Sequence, residues 1–165
     1  MTVILTVDPG YRSCGWAITS YEGQSRVLVD AGEWCTNPED GDELARVALI
    51  EACFIRKLAE LKPNGVGIEA YTHQKRKNQN FKVAGNVTRL IDRMGAACRA
   101  ADVPFEEVPT TLSKMSLGLR GKVSKERVRR AVEAMFGTRI SAHMADAVAV
   151  GPAVRSRLLA RGIGR

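Results

Sequence analysis

Residues 1–18 read MTVILTVDPGYRSCGWAI. Val3 to Val7 is a β-branched apolar run, Asp8-Pro9-Gly10 is a turn signal, and Cys14 to Ile18 resumes strand character. Two readings fit this segment alone. In one, it is a hairpin whose Asp8 caps the turn. In the other, Asp8 ends a buried strand because it holds something there. The rest of the chain separates them.

Downstream, RVLVDAGEW (26–34) reads as a third strand, and the loop over 36–41 offers Asp40 or Asp42 as the cap of a helix from Glu43 to Leu61. In that helix Leu44, Val47, Ala48, Ala52, Ile55, Leu58 and Ala59 keep helical spacing. Pro63-Asn64-Gly65 stops it, and Val66-Gly67-Ile68 is a brief strand ending in Glu69. The stretch YTHQKRKNQN is too polar and basic for a core. A long helix follows, marked by Phe81, Ala84, Val87, Leu90, Ile91, Met94, Ala97, Cys98 and Ala101, then a strand over Val103 to Val108. Thr110 to Leu117 suits a short helical turn, and Gly118-Leu119-Arg120-Gly121-Lys122 a basic loop. Ser124 and Ser141 cap two last helices. Gly151-Pro152 interrupts the second of these, because proline lacks the donor that a helix interior needs, so a kink or restart is expected there. Three strands followed by alternating helices and strands predict an α/β fold, a mixed five-stranded sheet with helices on its faces. No repeat, low-complexity run or long linker divides residues 1–165, so one domain is expected.

With 45% hydrophobic residues the chain can bury a real core, and no stretch approaches the ~18 apolar residues of a membrane span. No secretory leader is visible at the N-terminus. Four cysteines without C-x-x-C spacing argue against zinc and for reduced thiols in an intracellular setting. Charge is strongly divided: residues 1–70 hold six Lys/Arg and eleven Asp/Glu, a net of −5, whereas 71–165 hold nineteen and seven, a net of +12. That asymmetry points to a polyanion surface built by the second half.

Three acids interrupt apolar surroundings: Asp8 and Glu69 at strand ends, and Asp146 within HMADAVAV. An ionised carboxylate is costly to bury without a cation or strong donor. His143 stands three residues before Asp146, on the same helical face. Carboxylates with one imidazole suit Mg²⁺ or Mn²⁺. In a basic protein such a cluster has a definite use: two divalent ions activate water and stabilise the leaving oxygen of a phosphodiester. On this reading Asp8 is a metal ligand fixed at a strand end.

DPGYRSCGWAI, GIEAY and HMADAVAV, in this order, resemble the RuvC-type Holliday junction resolvases of the ribonuclease H-like superfamily, over nearly the whole chain. The resemblance implies a homodimeric endonuclease making symmetric paired nicks in a four-way DNA junction. Its metal-binding acids fall on Asp8, Glu69 and Asp146, with His143 at the fourth position and two ions, Mg²⁺ or Mn²⁺, per site. Lysines near the cleaved phosphate match Lys114 and Lys125, with Arg120 and Lys122 on the loop between them. Tyr71 is the nearest aromatic to the place where the family stacks one at the junction centre, and Lys75-Arg76-Lys77 suits phosphate contacts. The apolar face of the long helix (Val83, Val87, Leu90, Ile91, Met94) matches the family's dimer helix, although burial within one chain produces the same pattern. The setting implied is the cytoplasm of a bacterial or phage-infected cell; whether a branch-migration motor partners the protein stays open. Rival readings are a ribonuclease H-like nuclease on forks or RNA–DNA hybrids, a junction-binding protein that does not cut, and an actin-like nucleotide fold, for which the chain is too short.

Overall fold

A computed structural model describes residues 1–71 and 81–164. Three strands open it: β1 (Thr2–Asp8), β2 (Ser13–Glu22) and β3 (Ser25–Cys35). Helix α1 (Glu43–Leu61) follows, then β4 (Gly65–Glu69), α2 (Phe81–Ala100), β5 (Phe105–Val108), α3 (Thr110–Ser116), α4 (Lys125–Phe136) and α5 (Ala142–Ala160). The sheet order is β3-β2-β1-β4-β5. β2 is antiparallel to β1 and β3, whereas β4 runs parallel to β1 and β5. The mixed five-stranded sheet expected from the element order is therefore present. Asp42, of the two candidate caps, accepts from the Ala45 amide and starts α1, while Asp40 belongs to a short 3-10 turn over Pro38–Asp40.

Each sheet face carries its own apolar layer. Leu5 and Val7 of β1, Trp16 and Ile18 of β2, and Val66 and Ile68 of β4 point toward α1 and α2, where Val47, Ile50, Phe54, Leu90 and Met94 meet them. Trp34 stacks on Trp16 with ring centres 5.8 Å apart and meets Phe54 edge-on, joining the β3 edge to that layer. On the opposite face Ile4 and Tyr21 pack with Val150, Val154 and Leu158 of α5, and a neighbouring cluster joins Ala17 to α4 through Val128 and Val132. Alternation along each strand decides which residues face which layer. It sets Asp8 and Glu69, at the C-terminal ends of β1 and β4, on the α5 side.

Val87, Leu90, Ile91 and Met94 of α2 are buried within the chain itself, so of the two sources open for this apolar face the chain's own core accounts for it. One expectation is corrected: α5 runs as one helix through Pro152 and does not restart there. Its C-terminal cations are used inside the fold. Arg155 donates to Thr2 Oγ1 and the Gly23 carbonyl and lies over the Tyr21 ring, while Arg157 and Arg161 both pair with buried Glu106 on edge strand β5. These contacts fasten the half of α5 beyond Pro152 to the sheet, compensating the bond that proline removes. In α1 the buried stripe is Val47, Ile50, Phe54 and Leu58; Leu44 and Ile55, counted with the helical pattern, face outward.

Candidate active site

Asp8 and Glu69 become neighbours because β1 and β4 are parallel. Their last registered pair is Val7 with Ile68, one residue short of each acid. Asp146 comes from α5, which lies across this end of the sheet. Asp146, Val150, Val154 and Leu158 recur every four residues, and the three apolar members seat against β1 and β4, so the same stripe carries Asp146 to the strand ends. A close approach is needed. A methyl on Gly67 of β4 would collide with Val154 and Val150, and one on Gly15 of β2 would collide with the backbone carbonyl of His143.

Gly15→Ala should accordingly lower stability by about 1–3 kcal/mol, since a backbone carbonyl cannot step aside as a side chain does. Equilibrium urea unfolding would show it as a lower midpoint at unchanged slope.

The acids share one electrostatic environment. Burial, then the charges of Asp8 and Asp146, push the Glu69 carboxyl up from 4.5 to about 7, against hydrogen bonding from Thr110 and the nearby Lys114. Ser113 Oγ, on buried Ser113 of α3, lies 3.5 Å from Glu69 Oε1. Asp146 is only 7% exposed, and burial raises its pKa although Lys125 opposes the rise. Lys125 Nζ is 3.0 Å from Asp146 Oδ2. Burial lowers the Lys125 pKa, but its bond to Asp146 and the charges of Asp146, Asp8 and Glu69 outweigh this, and the net shift is upward. His143 Nδ1 is 2.8 Å from Asp8 Oδ2, and that bond raises the imidazole pKa above its usual value despite partial burial.

The structure thus brings Asp8, Glu69, His143, Asp146, Lys114 and Lys125 into one site. Among the described residues no three His, Cys, Asp or Glu side chains form a ready-made metal shell: Asp8 is turned to His143 and Asp146 to Lys125. The donor chemistry nevertheless fits a hard divalent cation, since carboxylates with one imidazole are its ligands, and beyond burial the neighbouring carboxylate charges hold the Glu69 and Asp146 carboxyls above their ordinary range. Lys114 Nζ reaches the Val123 carbonyl at 3.4 Å beneath the basic loop. On that loop Gly118 and Gly121 both adopt φ of +76°, and Arg120 and Lys122 are exposed. Tyr71 is half-buried against the main core cluster. Lys75, Arg76 and Lys77 lie outside the described residues.

Sequence reasoning missed Ser113 and Thr110 beside Glu69, and also Glu33. The Glu33 carboxylate accepts from Ser13 Oγ at 2.6 Å and from Ser141 Oγ, the N-cap hydroxyl of α5. Only the Ser-x-x start of α5 was visible in one dimension; its partner on β3 is 108 residues away.

The model of the family described as crossover junction endodeoxyribonuclease RuvC matches residues 4–154. A protein of that name from Trichlorobacter lovleyi is 29% identical over 150 residues, covering 89% of this chain and 81% of the relative. One from Brachyspira hyodysenteriae is 27% identical over 158 residues and covers 94% of both. Among solved structures, T. thermophilus RuvC in complex with a Holliday junction substrate superposes with a TM-score of 0.80 at 23% identity, covering 96% of each chain. Fowlpox virus resolvase with its substrate Holliday junction superposes at 0.58 and 15% identity, covering 95% of this chain and 99% of the other.

Proposed function

This chain belongs to the crossover junction endodeoxyribonuclease RuvC family, and on that premise we propose that it resolves four-way DNA junctions by metal-dependent phosphodiester hydrolysis. The products would be paired nicks with 5′-phosphate and 3′-hydroxyl ends. The observation that carries the reading is the convergence of Asp8, Glu69 and Asp146 from two strand ends and a helix, beside Lys114 and Lys125.

Asp8, Glu69, Asp146 and His143 would hold two divalent ions, Mg²⁺ or Mn²⁺. Bound there, the ions supply Lewis acidity to the phosphate and lower the pKa of water. The protein's own groups orient and neutralise. Lys125 is mostly exposed and tethered only at its tip to Asp146, so it can turn to an arriving phosphate once that carboxylate finds another cation. Lys114 lies deeper and supports the same negative charge. His143, held by Asp8, keeps its Nε2 free of that bond and directed away from it. Arg120 and Lys122 would contact backbone phosphates beside the cut, fixing position without reading sequence. Tyr71 and the cluster Lys75-Arg76-Lys77, on the segment leaving Glu69, would meet the strands nearest the junction centre.

Two opposing cuts call for two sites, and we propose a homodimer. Since the apolar face of α2 is core, the surface offered is the outward face of α1 that carries exposed Leu44 and Ile55, together with Phe81 at the start of α2, 83% exposed. Such apolar groups clustered on two adjacent helices suit an interface. Leu44→Glu should convert a dimer to a monomer in sedimentation velocity, with paired nicking giving way to single nicks. A variant that stays dimeric would place the interface elsewhere.

Nicking of a labelled four-way junction beside linear duplex, replication fork and RNA–DNA hybrid, with Mg²⁺ and with Mn²⁺, tests the whole reading. Paired nicks on the junction alone are expected. Cutting of the hybrid in preference would transfer the site to ribonuclease chemistry.

A further inference from the structure

Three registered residues form one rung across the first three strands: Asp8 of β1 pairs with Gly15 of β2, and Gly15 pairs with Glu33 of β3. Side chains of registered residues project from the same sheet face. Asp8 and Glu33 therefore flank Gly15 on the α5 side, and the bare backbone of Gly15 leaves a slot between them. The first turn of α5 lies in that slot, with the His143 carbonyl directly over Gly15. Each flanking carboxylate takes one residue of that turn. Asp8 takes His143 at 2.8 Å, and Glu33 takes the Ser141 hydroxyl. The second Glu33 oxygen accepts from Ser13 Oγ at 2.6 Å, so the carboxylate is oriented from β2 as well.

We propose that Glu33 is a positioning residue for the nuclease site, acting through Ser141 to set where the first turn of α5 presents His143 and Asp146 to Asp8. The proposal rests on the functional reading above for its catalytic consequence, but not for its structural one. Ser141 is the N-cap, and its hydroxyl accepts from the Met144 amide at 3.2 Å. A hydroxyl has one proton to donate and lone pairs to accept with. Donating that proton to Glu33 fixes the rotamer in which a lone pair faces Met144. Glu33 thus decides whether the cap is held, and a held cap keeps the α5 start wound between the two carboxylates. Hydrogen bonds from Ser13 and then Ser141, with the His143 charge nearby, hold the Glu33 carboxyl below its ordinary range, so it stays an acceptor throughout the neutral range. A negative charge at this helix start also complements the helix dipole. Nothing in this arrangement requires Glu33 to touch substrate.

The test combines hydrogen exchange with single-turnover kinetics on wild type, Glu33→Ala, Glu33→Gln, Ser141→Ala and the Glu33→Ala/Ser141→Ala double variant. Glu33→Ala should speed exchange of the Met144 amide about tenfold while leaving strand amides such as Leu5 at wild-type rates. Its junction nicking should slow by a similar factor at saturating DNA with junction affinity unchanged, a split that general loss of stability would not produce. Glu33→Gln, which keeps an oxygen acceptor, should restore most of both. The double variant should be no worse than Ser141→Ala, because the two residues act in series. Unchanged Met144 exchange in Glu33→Ala, or additive losses in the double variant, would overturn the proposal. If wild type fails to nick junctions, the functional reading falls, and the exchange arm still decides the role of Glu33.

Discussion

Asp146→Asn is expected to reduce junction nicking by roughly three orders of magnitude while leaving the protein folded and able to bind the junction. The substitution keeps shape and removes charge. Asp146 is nearly buried, and burial together with Asp8 makes its ionised form uncomfortable, so neutralising it should not lower stability. It should, however, remove a hard oxygen ligand and release Lys125, whose ammonium lies 3.0 Å away. The released cation gains freedom to bind phosphate, so junction affinity should hold or rise while the cut disappears. Single-turnover rates in Mg²⁺, paired with electrophoretic mobility shifts of the same junction, separate these two effects. Nicking within a few-fold of wild type would remove Asp146 from the catalytic set. Loss of binding together with nicking would point to a collapsed α5 start instead.

The elements that position these acids were readable because they obey local rules. The α1 limits, Glu43 to Leu61, follow from the Asp42 cap and Pro63-Asn64-Gly65, and the structure reproduces both ends. The acids were readable for the opposite reason, since a carboxylate within GIEAY or HMADAVAV contradicts its surroundings and needs an explanation. What stayed hidden depends on residues brought together by register. Nothing in YRSCGWAI marks Gly15 as the floor under His143, and nothing in DAGEWC marks Glu33 as the partner of a serine beyond residue 140. The apolar face of α2 illustrates a true ambiguity: its period of 3.6 announces burial but not against what, and here the chain's own sheet takes it. Pro152 illustrates a local rule overridden. Proline breaks an isolated helix, but α5 is anchored beyond it by Arg155 on Thr2 and by Arg157 and Arg161 on Glu106, and tertiary contacts carry the helix through.

Glu69→Gln should abolish nicking as Asp146→Asn does, and at the same time make the metal-free protein more stable at neutral and alkaline pH. Burial first, then Asp8 and Asp146, push the Glu69 carboxyl from 4.5 to about 7. Between those limits the folded chain keeps a proton that the unfolded chain has already released. Stability contributed by this group therefore falls as pH rises through the window, and above about 7 the whole penalty is present. At 1.36 kcal/mol per unit it is at most about 3 kcal/mol, less what solvent screening at this partly exposed carboxyl removes. Glutamine carries no such charge. Urea unfolding of the two proteins without divalent ions should coincide near pH 4.5 and diverge toward pH 8, with the variant more stable by on the order of 2 kcal/mol. A gap of the same size at every pH would mean that the variant gains by packing rather than by loss of charge. Millimolar Mg²⁺ supplies the decisive contrast. A cation that binds the folded chain stabilises it by mass action, and wild type, with its full set of carboxylates, should gain more than the variant and close the gap. If Mg²⁺ leaves the gap at pH 8 untouched, Glu69 is not one of the residues that hold the ion. If it closes, the instability built into this end of the sheet is the same charge that the chemistry uses.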